Sequence, residues 1–190
     1  MTPHIYTPND YITMPWRNGL GSTIELLKHQ PHEAFMWRLS MADVSQDGAF
    51  SDFSGYDRCL ILERGDGLTL SDHQGQHWHL QQPLDAAYFK GEDLINARLD
   101  NGPIRDFNIM TRRADCTAKV VTSQQQNQQK IALQGDLFLL FNVQGKAAFK
   151  LDNHPEQELA EQHLMQLSPH SNSSCYCSGK AWVGILITYL

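Results

Sequence analysis

The sequence predicts an all-β protein built from two weakly similar modules. Helical periodicity is hard to find in it, whereas short β-rich runs broken by Gly, Pro, Asn and Asp recur along the whole chain. The chain has 190 residues, a length at which folding buries roughly 70% of the surface that the unfolded chain exposes. A hydrophobic core can therefore hold one domain, or a pair that shares a core, without disulfides or metal ions.

Five β-rich runs are expected before residue 112. Each combines β-branched, aromatic or aliphatic residues with flanking turn residues. The runs are 35–42, 58–62, 67–70, 76–80 and 106–111, with a shorter strand at 87–89. The segment 19–23 contains two glycines but lacks the Lys of a phosphate-binding loop, so we expect it to be a tight backbone turn.

A polar tract separates these runs from a second group. The tract, 122–129, is rich in Gln and has nothing to bury, so we expect a connector or an exposed hairpin end. The runs that follow it are 137–143, 147–151, 164–167 and 182–189. One stretch, 155–162, could hold a helical turn, but its Glu-rich polarity suits a solvated loop equally well.

The two parts of the chain have predicted strands and turns in the same order, which predicts a duplicated β-module. An apolar strand is followed by a glycine, Gly65 in the first part and Gly145 in the second, and we expect each glycine to form a hairpin turn. A further strand, a small-residue turn and a closing apolar strand come next. We therefore assign residues 1–115 to a first module and 116–190 to a second, packed as one body. The alternative is that any β-meander contains hairpin glycines.

Charge and hydropathy exclude several classes of protein. Lys and Arg number 15 against 21 Asp and Glu, a formal charge of -6, which argues against a general nucleic-acid or anionic-membrane surface. The longest apolar stretch, 182–190, is far short of the roughly 20 residues that a spanning helix needs, so we expect no membrane anchor. No secretory signal is visible, so we expect a cytoplasmic location. The four cysteines are too few and too irregularly spaced for a disulfide scaffold, and we expect them to be reduced.

Three histidines within seven residues are the strongest candidate for a metal site. His77 and His79 flank Trp78, so both imidazoles lie on one face of a predicted strand, with His73 nearby. We expect Trp78 and Leu80 to face a core, which turns the histidines outward. We therefore expect no metal and no cofactor. The alternative is a metal-dependent oxygenase or isomerase that uses His73, His77 and His79.

The arginines are concentrated in the first module, since all eight precede residue 114. Arg58 shares its strand face with leucines, and Arg38 lies between apolar neighbours, so neither is placed like a solvating residue. A guanidinium beside an apolar face needs a carboxylate partner. The partner is either an acidic ligand or, as is more common for buried charges, an internal carboxylate. The internal candidates are Asp52, Asp57 and Asp106.

Four ordered motifs resemble the HutD/Ves family. They are 15–25, 37–42, 47–58 and 106–112, and the last of them is somewhat closer to the Ves branch. The second module carries no sharp motif of this kind. The resemblance implies a metal-free bicupin, that is, a two-module cupin with a β-barrel or jelly-roll fold in one compact body.

The resemblance also implies a ligand site. The HutD branch is associated with histidine utilisation and with binding of a small acidic metabolite such as formylglutamate or urocanate, and the Ves branch with stress. The motif residues that could line or wall a pocket are Trp16, Asn18, Arg38, Ser40, Phe53, Arg58, Asn108 and Arg112. We therefore expect a non-enzymatic, metabolite-binding cupin with a regulatory or stress-related role.

Two alternatives to that function stay open. One is a metal-dependent cupin enzyme that uses the three histidines. The other is a structural or partner-binding β-protein, in which the strand at 182–190 could pair across a homodimer interface.

Overall fold

The structure is a computed structural model that describes residues 2–16, 19, 21–124 and 128–190. Within these residues the regular elements are β-strands and one turn of 3-10 helix, Pro8–Asp10. The strands are β1 (His4–Tyr6), β2 (Ile12–Pro15), β3 (Gly21–His29), β4 (Trp37–Val44), β5 (Gly48–Ala49), β6 (Tyr56–Arg64), β7 (Leu68–Ser71), β8 (His77–Leu80), β9 (Ala86–Lys90), β10 (Asn96–Leu99), β11 (Ile104–Arg112), β12 (Cys116–Thr122), β13 (Gln128–Ala132), β14 (Leu137–Leu151), β15 (Gln157–Leu159), β16 (Leu164–Leu167) and β17 (Ser174–Tyr189).

The all-β prediction is confirmed, and every long apolar run of the sequence forms a strand. One local prediction is wrong in part, since residues 21–23 begin β3 instead of continuing a turn, because Thr23 pairs with Ala42 of β4. The segment 155–162, for which the sequence left a helical turn and a solvated loop open, is mostly exposed and holds the short strand β15, which pairs with β14. Part of the polar tract, 125–127, lies outside the described residues.

The chain divides into two compact units. The first unit is Tyr11–Asp115, and the second consists of Cys116–Leu190 together with the residues up to Asp10. We had assigned those first residues to the first module. They belong to the second unit because β1 pairs with β16, with Ile5 opposite Met165.

The first unit contains two antiparallel sheets. The six-stranded sheet has the order β2-β3-β4-β11-β6-β9, and the four-stranded sheet has the order β5-β10-β7-β8. Buried residues of both sheets form one core cluster, in which Leu60 and Leu62 of β6 pack with Leu68 and Leu70 of β7. Because side chains alternate along a strand, residues at every second position of β4, β6 and β11 face this core.

The second unit uses the same order of strand pairing. The beginning of β14 pairs with β16 and its end pairs with β15, as β6 pairs with β9 and β7 with β8. Both parts of β14 also pair with β17, as β6 pairs with β11 and β7 with β10. That the chain is a bicupin, with two duplicated modules, stays a prediction.

Gly65 and Gly145 lie where the chain changes its sheet partners, and the prediction of two hairpins is wrong. Gly65, with φ 112°, connects β6 to β7, which belong to different sheets. Gly145, with φ 77°, lies inside β14 where the register with β17 shifts. Corners of this kind carry a strand from one sheet into another without reversing it. A Cβ at Gly65 would lie 2.6 Å from Cγ2 of Ile104, so this corner requires glycine.

None of the described residues forms a helix that is long and apolar enough to cross a bilayer. The four cysteines, all of them described, are buried, and none of them forms a disulfide in the structure.

Candidate functional site

A cavity of about 540 Å³ opens on the core-facing side of the six-stranded sheet. The residues that line it all belong to the first unit. They are Met14, Pro15, Trp16, Thr23, Arg38, Ser40, Ala42, Val44, Ala49, Phe50, Ser51, Phe53, Arg58, Asp106 and Asn108. The volume falls within the range of small-molecule sites in proteins.

The register of three neighbouring strands brings the polar side chains of this cavity together. On β11, Asn108 lies opposite Ser40 of β4. Two residues further along β11, Met110 lies opposite Arg38 on β4 and opposite Arg58 on β6. Side chains at alternate positions share a face, so the two arginines, the serine and the asparagine project from one side of the sheet.

Arg58 is held in an aromatic box. Its guanidinium carbon lies 5.3, 5.5 and 5.0 Å from the ring centroids of Phe50, Phe53 and Phe89, within the range of cation–π contacts. The residue is 7% exposed, its Nη1 donates a long 3.5 Å hydrogen bond to the Ser51 carbonyl, and its Nε has no hydrogen-bond partner in the protein. Burial lowers the pKa of Arg58 to about 10, so the guanidinium remains charged at neutral pH.

Arg38 lies beside this box. Its guanidinium carbon is 5.5 Å from the ring centroid of Phe35 and 5.6 Å from that of Phe53. Burial lowers the pKa of Arg38, although the charge of Glu25 opposes this shift. Its buried Nε, like that of Arg58, has no hydrogen-bond partner in the protein.

Neither arginine forms an ion pair within the described part of the chain. None of the three internal carboxylates that the sequence predicts as partners pairs with Arg38 or Arg58 in the described residues. Asp52 accepts hydrogen bonds from the backbone and hydroxyl of Ser54. Asp57 pairs with Arg113 at 3.0 Å. Only Asp106 lines the cavity, where its charge acts on Arg58 without a direct contact between the two.

Two buried acceptors complete the polar lining. Asp106 is 1% exposed and Asn108 is 8% exposed, and the Oδ1 atom of each has no hydrogen-bond donor in the protein. Burial raises the pKa of Asp106 to about 7, even though the positive charge of Arg58 opposes this shift. The cavity therefore presents unpaired donors and unpaired acceptors side by side.

Trp16 forms part of the wall and is positioned by a glycine. Its Nε1 donates a 2.9 Å hydrogen bond to the hydroxyl of Thr23. A Cβ at Gly21 would lie 2.9 Å from two carbons of the Trp16 ring and 2.3 Å from the carbonyl oxygen of Asp43. The close approach of the indole to β3 therefore depends on the absence of a side chain at this position.

The structure brings six of the eight predicted site residues to this cavity. They are Trp16, Arg38, Ser40, Phe53, Arg58 and Asn108. Arg112 does not line it and instead forms an ion pair with Asp115. Asn18 lies outside the described residues.

Sequence analysis did not assign Phe50 and Asp106 to the site. The signal for Asp106 was available, because it lies two positions before Asn108 on one strand and so shares its face.

The histidine cluster lies on another surface. His77 and His79 are exposed, while Leu80 is buried and Trp78 packs against the core, which is the orientation that the sequence predicted. The two imidazoles stack with centroids 6.3 Å apart, and Nδ1 of His79 lies 3.2 Å from the Thr69 hydroxyl. His73 lies in the turn before β8. Across residues 2–16, 19, 21–124 and 128–190, no three His, Cys, Asp or Glu side chains are grouped to hold a metal ion.

A second cavity, of about 510 Å³, lies elsewhere in the first unit, and its charged residues are paired within the protein. Asp43, which lines it, accepts two 2.7 Å hydrogen bonds from Arg105 and lies 3.6 Å from Arg64. Among the described lining residues this pairing leaves no charge without a partner, in contrast to the two arginines of the first cavity.

A family model described as HutD matches residues 8–185. The chain belongs to the HutD family. Among curated HutD relatives, the uncharacterized 21.2 kDa protein in the hutC 3' region of Pseudomonas putida is 42% identical over 103 residues, and Protein Ves of Escherichia fergusonii is 38% identical over 107 residues. These alignments include 53% and 55% of the present chain and 54% and 56% of the relatives, so the chain spans about half the length of the curated relatives it matches.

Solved HutD-like structures cover the whole chain. HutD from Pseudomonas fluorescens SBW25 has a TM-score of 0.86 at 28% identity over 100% of both chains. A conserved protein of unknown function from Pseudomonas aeruginosa PAO1 has a TM-score of 0.87 at 28% identity, covering 99% of this chain and 100% of the other. A cupin 2 conserved barrel domain protein from Leptotrichia buccalis, at 10% identity and a TM-score of 0.52, shares the fold over 90% of this chain and 89% of its own. The cupin-like fold that the family resemblance implied is confirmed.

Proposed function

We propose that this HutD-family protein binds a small carboxylate in the cavity of the first unit and acts as a non-enzymatic metabolite-binding protein with a regulatory or stress-related role. Arg58 and Arg38 bind the carboxylate, and Asn108 fixes its orientation. The aromatic side chains Trp16, Phe50 and Phe53 enclose the apolar part of the ligand.

The observation that carries this proposal is the state of the two arginines. Both guanidiniums line one cavity, both have a buried Nε without a hydrogen-bond partner, and neither forms an ion pair in the described residues. Buried charges are ordinarily paired, because an unpaired one is costly to remove from water. A carboxylate supplies two acceptor oxygens that match the fork of a guanidinium.

The charge of the cavity also favours an anion. Among the described lining residues the titratable groups are two arginines and Asp106, and their summed charge is positive in either state of that carboxyl. Since the aromatic box already restrains Arg58, little side-chain freedom is lost when a ligand binds. HutD from Pseudomonas fluorescens, which shares this fold over its full length, was solved in a formate condition, and formate is the smallest carboxylate.

A thermal-shift screen of the full chain with glutarate, N-formylglutamate and urocanate tests the proposal. A ligand present at a hundred times its dissociation constant stabilises the folded state by about 2.7 kcal/mol, which raises the melting temperature by roughly 5–10 °C for a protein of this size. Arg58→Met should abolish this response, because it removes the charge and keeps an unbranched side chain inside the aromatic box.

The matched control is Arg98→Ala, since the Arg98 side chain is 67% exposed and lies outside the cavity. This variant should respond to the ligand as the wild type does. The proposal is wrong if none of the three acids stabilises the wild type, or if Arg58→Met responds as strongly as the control.

A further inference from the structure

Asp106 is the one carboxyl group among the described residues that line the candidate cavity. It lies on β11 opposite Ala42 of β4 and Leu62 of β6, and it is 1% exposed. Its Oδ1 has no donor in the protein. A buried carboxyl group in the lining of this cavity lies close to any anion that binds to Arg58 and Arg38.

Charged groups on the neighbouring strands shift the pKa of Asp106 in opposite directions. Arg58 of β6 favours the ionised carboxylate, whereas Glu63 of β6 and Asp43 of β4 disfavour it. Arg105, which precedes Asp106 on β11, has its guanidinium bound to Asp43.

Beyond these strands, the residues considered next are apolar or carry a charge that shifts the pKa of a group other than Asp106. Leu68 and Leu70 of β7, in the four-stranded sheet, belong to the apolar core cluster. The charge of Glu25, on β3, raises the pKa of Arg38. Burial is the largest effect and raises the pKa of Asp106 to about 7.

A bound carboxylate changes this balance. It places a second negative charge beside Arg58, so the cation that favoured ionised Asp106 is shared between two carboxylates. Two carboxylates in one low-dielectric site disfavour each other's ionisation, so a bound carboxylate raises the pKa of Asp106 further. Asp106, which is already difficult to ionise, is therefore the group expected to take up a proton.

We propose that Asp106 is a ligand-binding residue of this cavity, and that it accepts one proton from solvent when a carboxylate binds to Arg58 and Arg38. This inference rests on the proposed function, since it requires a carboxylate in the cavity. The protein thus takes up an anion and a proton together, and the protonated carboxyl has an O–H group to donate to the ligand. By linkage, the same coupling makes binding tighter at low pH.

The size of the effect follows from the fraction of Asp106 that is protonated before binding. If only this form binds the carboxylate well, the apparent dissociation constant is the intrinsic one divided by that fraction. With a pKa of about 7, the constant should rise roughly 25-fold between about pH 6.5 and 8.5.

Isothermal titration calorimetry of the full chain with glutarate tests the inference, because both glutarate carboxyls are ionised throughout this range. Titrations at about pH 6.5, 7.5 and 8.5, in two buffers of different ionisation enthalpy, give both the affinity and the number of protons taken up. The wild type should lose about 25-fold in affinity over the range and take up close to one proton per ligand at the highest pH.

Two variants assign the proton to its site. Asp106→Asn should bind glutarate with an affinity that no longer depends on pH, and without proton uptake. Asp57→Asn, which neutralises a carboxylate paired with Arg113 and absent from the cavity lining, should keep the wild-type pH dependence. If Asp106→Asn does not fold, proton uptake by the wild type still decides the question.

The outcomes separate this inference from the function on which it rests. Glutarate binding that is equally tight at all three pH values, or that keeps its pH dependence in Asp106→Asn, overturns the role of Asp106 and leaves the carboxylate site intact. If glutarate, N-formylglutamate and urocanate all fail to bind the wild type at every pH, both proposals are overturned.

Discussion

Arg58 and Asp106 line one cavity and act on each other's pKa, yet no ion pair joins them, although the structure describes both side chains. In the same sheet, Arg105 and Asp43 form a two-point contact with both distances at 2.7 Å. The first arrangement leaves a guanidinium available to a ligand, and the second ties one to the protein. The two arginines should therefore respond in opposite ways to the same substitution.

We expect Arg58→Met to be at least as stable as the wild type at about pH 6, where Asp106 holds its proton. An apolar side chain of similar shape avoids the cost of keeping a charge out of water. Arg105→Met should instead lose about 2 kcal/mol or more, since it breaks two hydrogen bonds to Asp43 and removes the cation 3.6 Å from the buried Glu63 carboxylate. Urea denaturation of both variants measures the difference. Equal destabilisation by Arg58→Met and Arg105→Met would contradict this expected difference between the two arginines.

The ionisation of Asp106 should leave a signature in the pH dependence of stability. Its pKa is about 7 in the folded protein against an ordinary value of 3.8, so the folded state binds more protons than the unfolded state between these values. This group therefore destabilises the fold increasingly as pH rises from about 4 to 7. Asp106→Asn removes that trend.

Denaturation midpoints of Asp106→Asn and the wild type, measured without ligand between about pH 4.5 and 8.5, test this expectation. The difference between them should move in favour of the variant up to about pH 7 and stay constant above it. A difference that is constant over the whole range would show that Asp106 does not titrate in this window.

Gly21→Ala should destabilise the first unit by roughly 1–3 kcal/mol. The new methyl group would lie 2.3 Å from the Asp43 carbonyl oxygen and 2.9 Å from the Trp16 ring, so backbone or indole must move. The control is Gly48→Ala, where a methyl group meets nothing within 4 Å, and its effect should stay within about 0.5 kcal/mol. Denaturant midpoints of the two variants compare their stabilities. The prediction is wrong if Gly21→Ala is as stable as Gly48→Ala.

The double variant His77→Ala/His79→Ala should change the free energy of unfolding by less than about 1 kcal/mol, because both side chains are exposed. Trp78→Ala, between them, should cost roughly 2 kcal/mol or more, since Trp78 packs against the core. Elemental analysis of purified wild type should find no stoichiometric transition metal. A bound metal that disappears in the double variant would instead support the metal-dependent alternative.

The sequence predicted the strands and much of the cavity lining from local patterns. Arg38 and Arg58 stood out because each interrupts an apolar strand, and the family motifs added Trp16, Phe53 and Asn108. What local patterns could not supply was the register across β4, β11 and β6, which joins residues 60 to 74 positions apart between β4 and β11 and 41 to 56 positions apart between β6 and β11. Alternation along β11 does place Asp106 on the face of Asn108, but no local pattern places Phe50, in the loop after β5, at the cavity.

The pairing of β1 with β16 has a consequence for the order in which the protein is synthesised. His4–Tyr6 is synthesised about 160 residues before its partner, Leu164–Leu167. The first unit, by contrast, possesses all of its strands once Arg112 has emerged. The cavity-bearing unit can thus fold cotranslationally while β1 is still unpaired, and the sheet that contains β1 is completed after this unit.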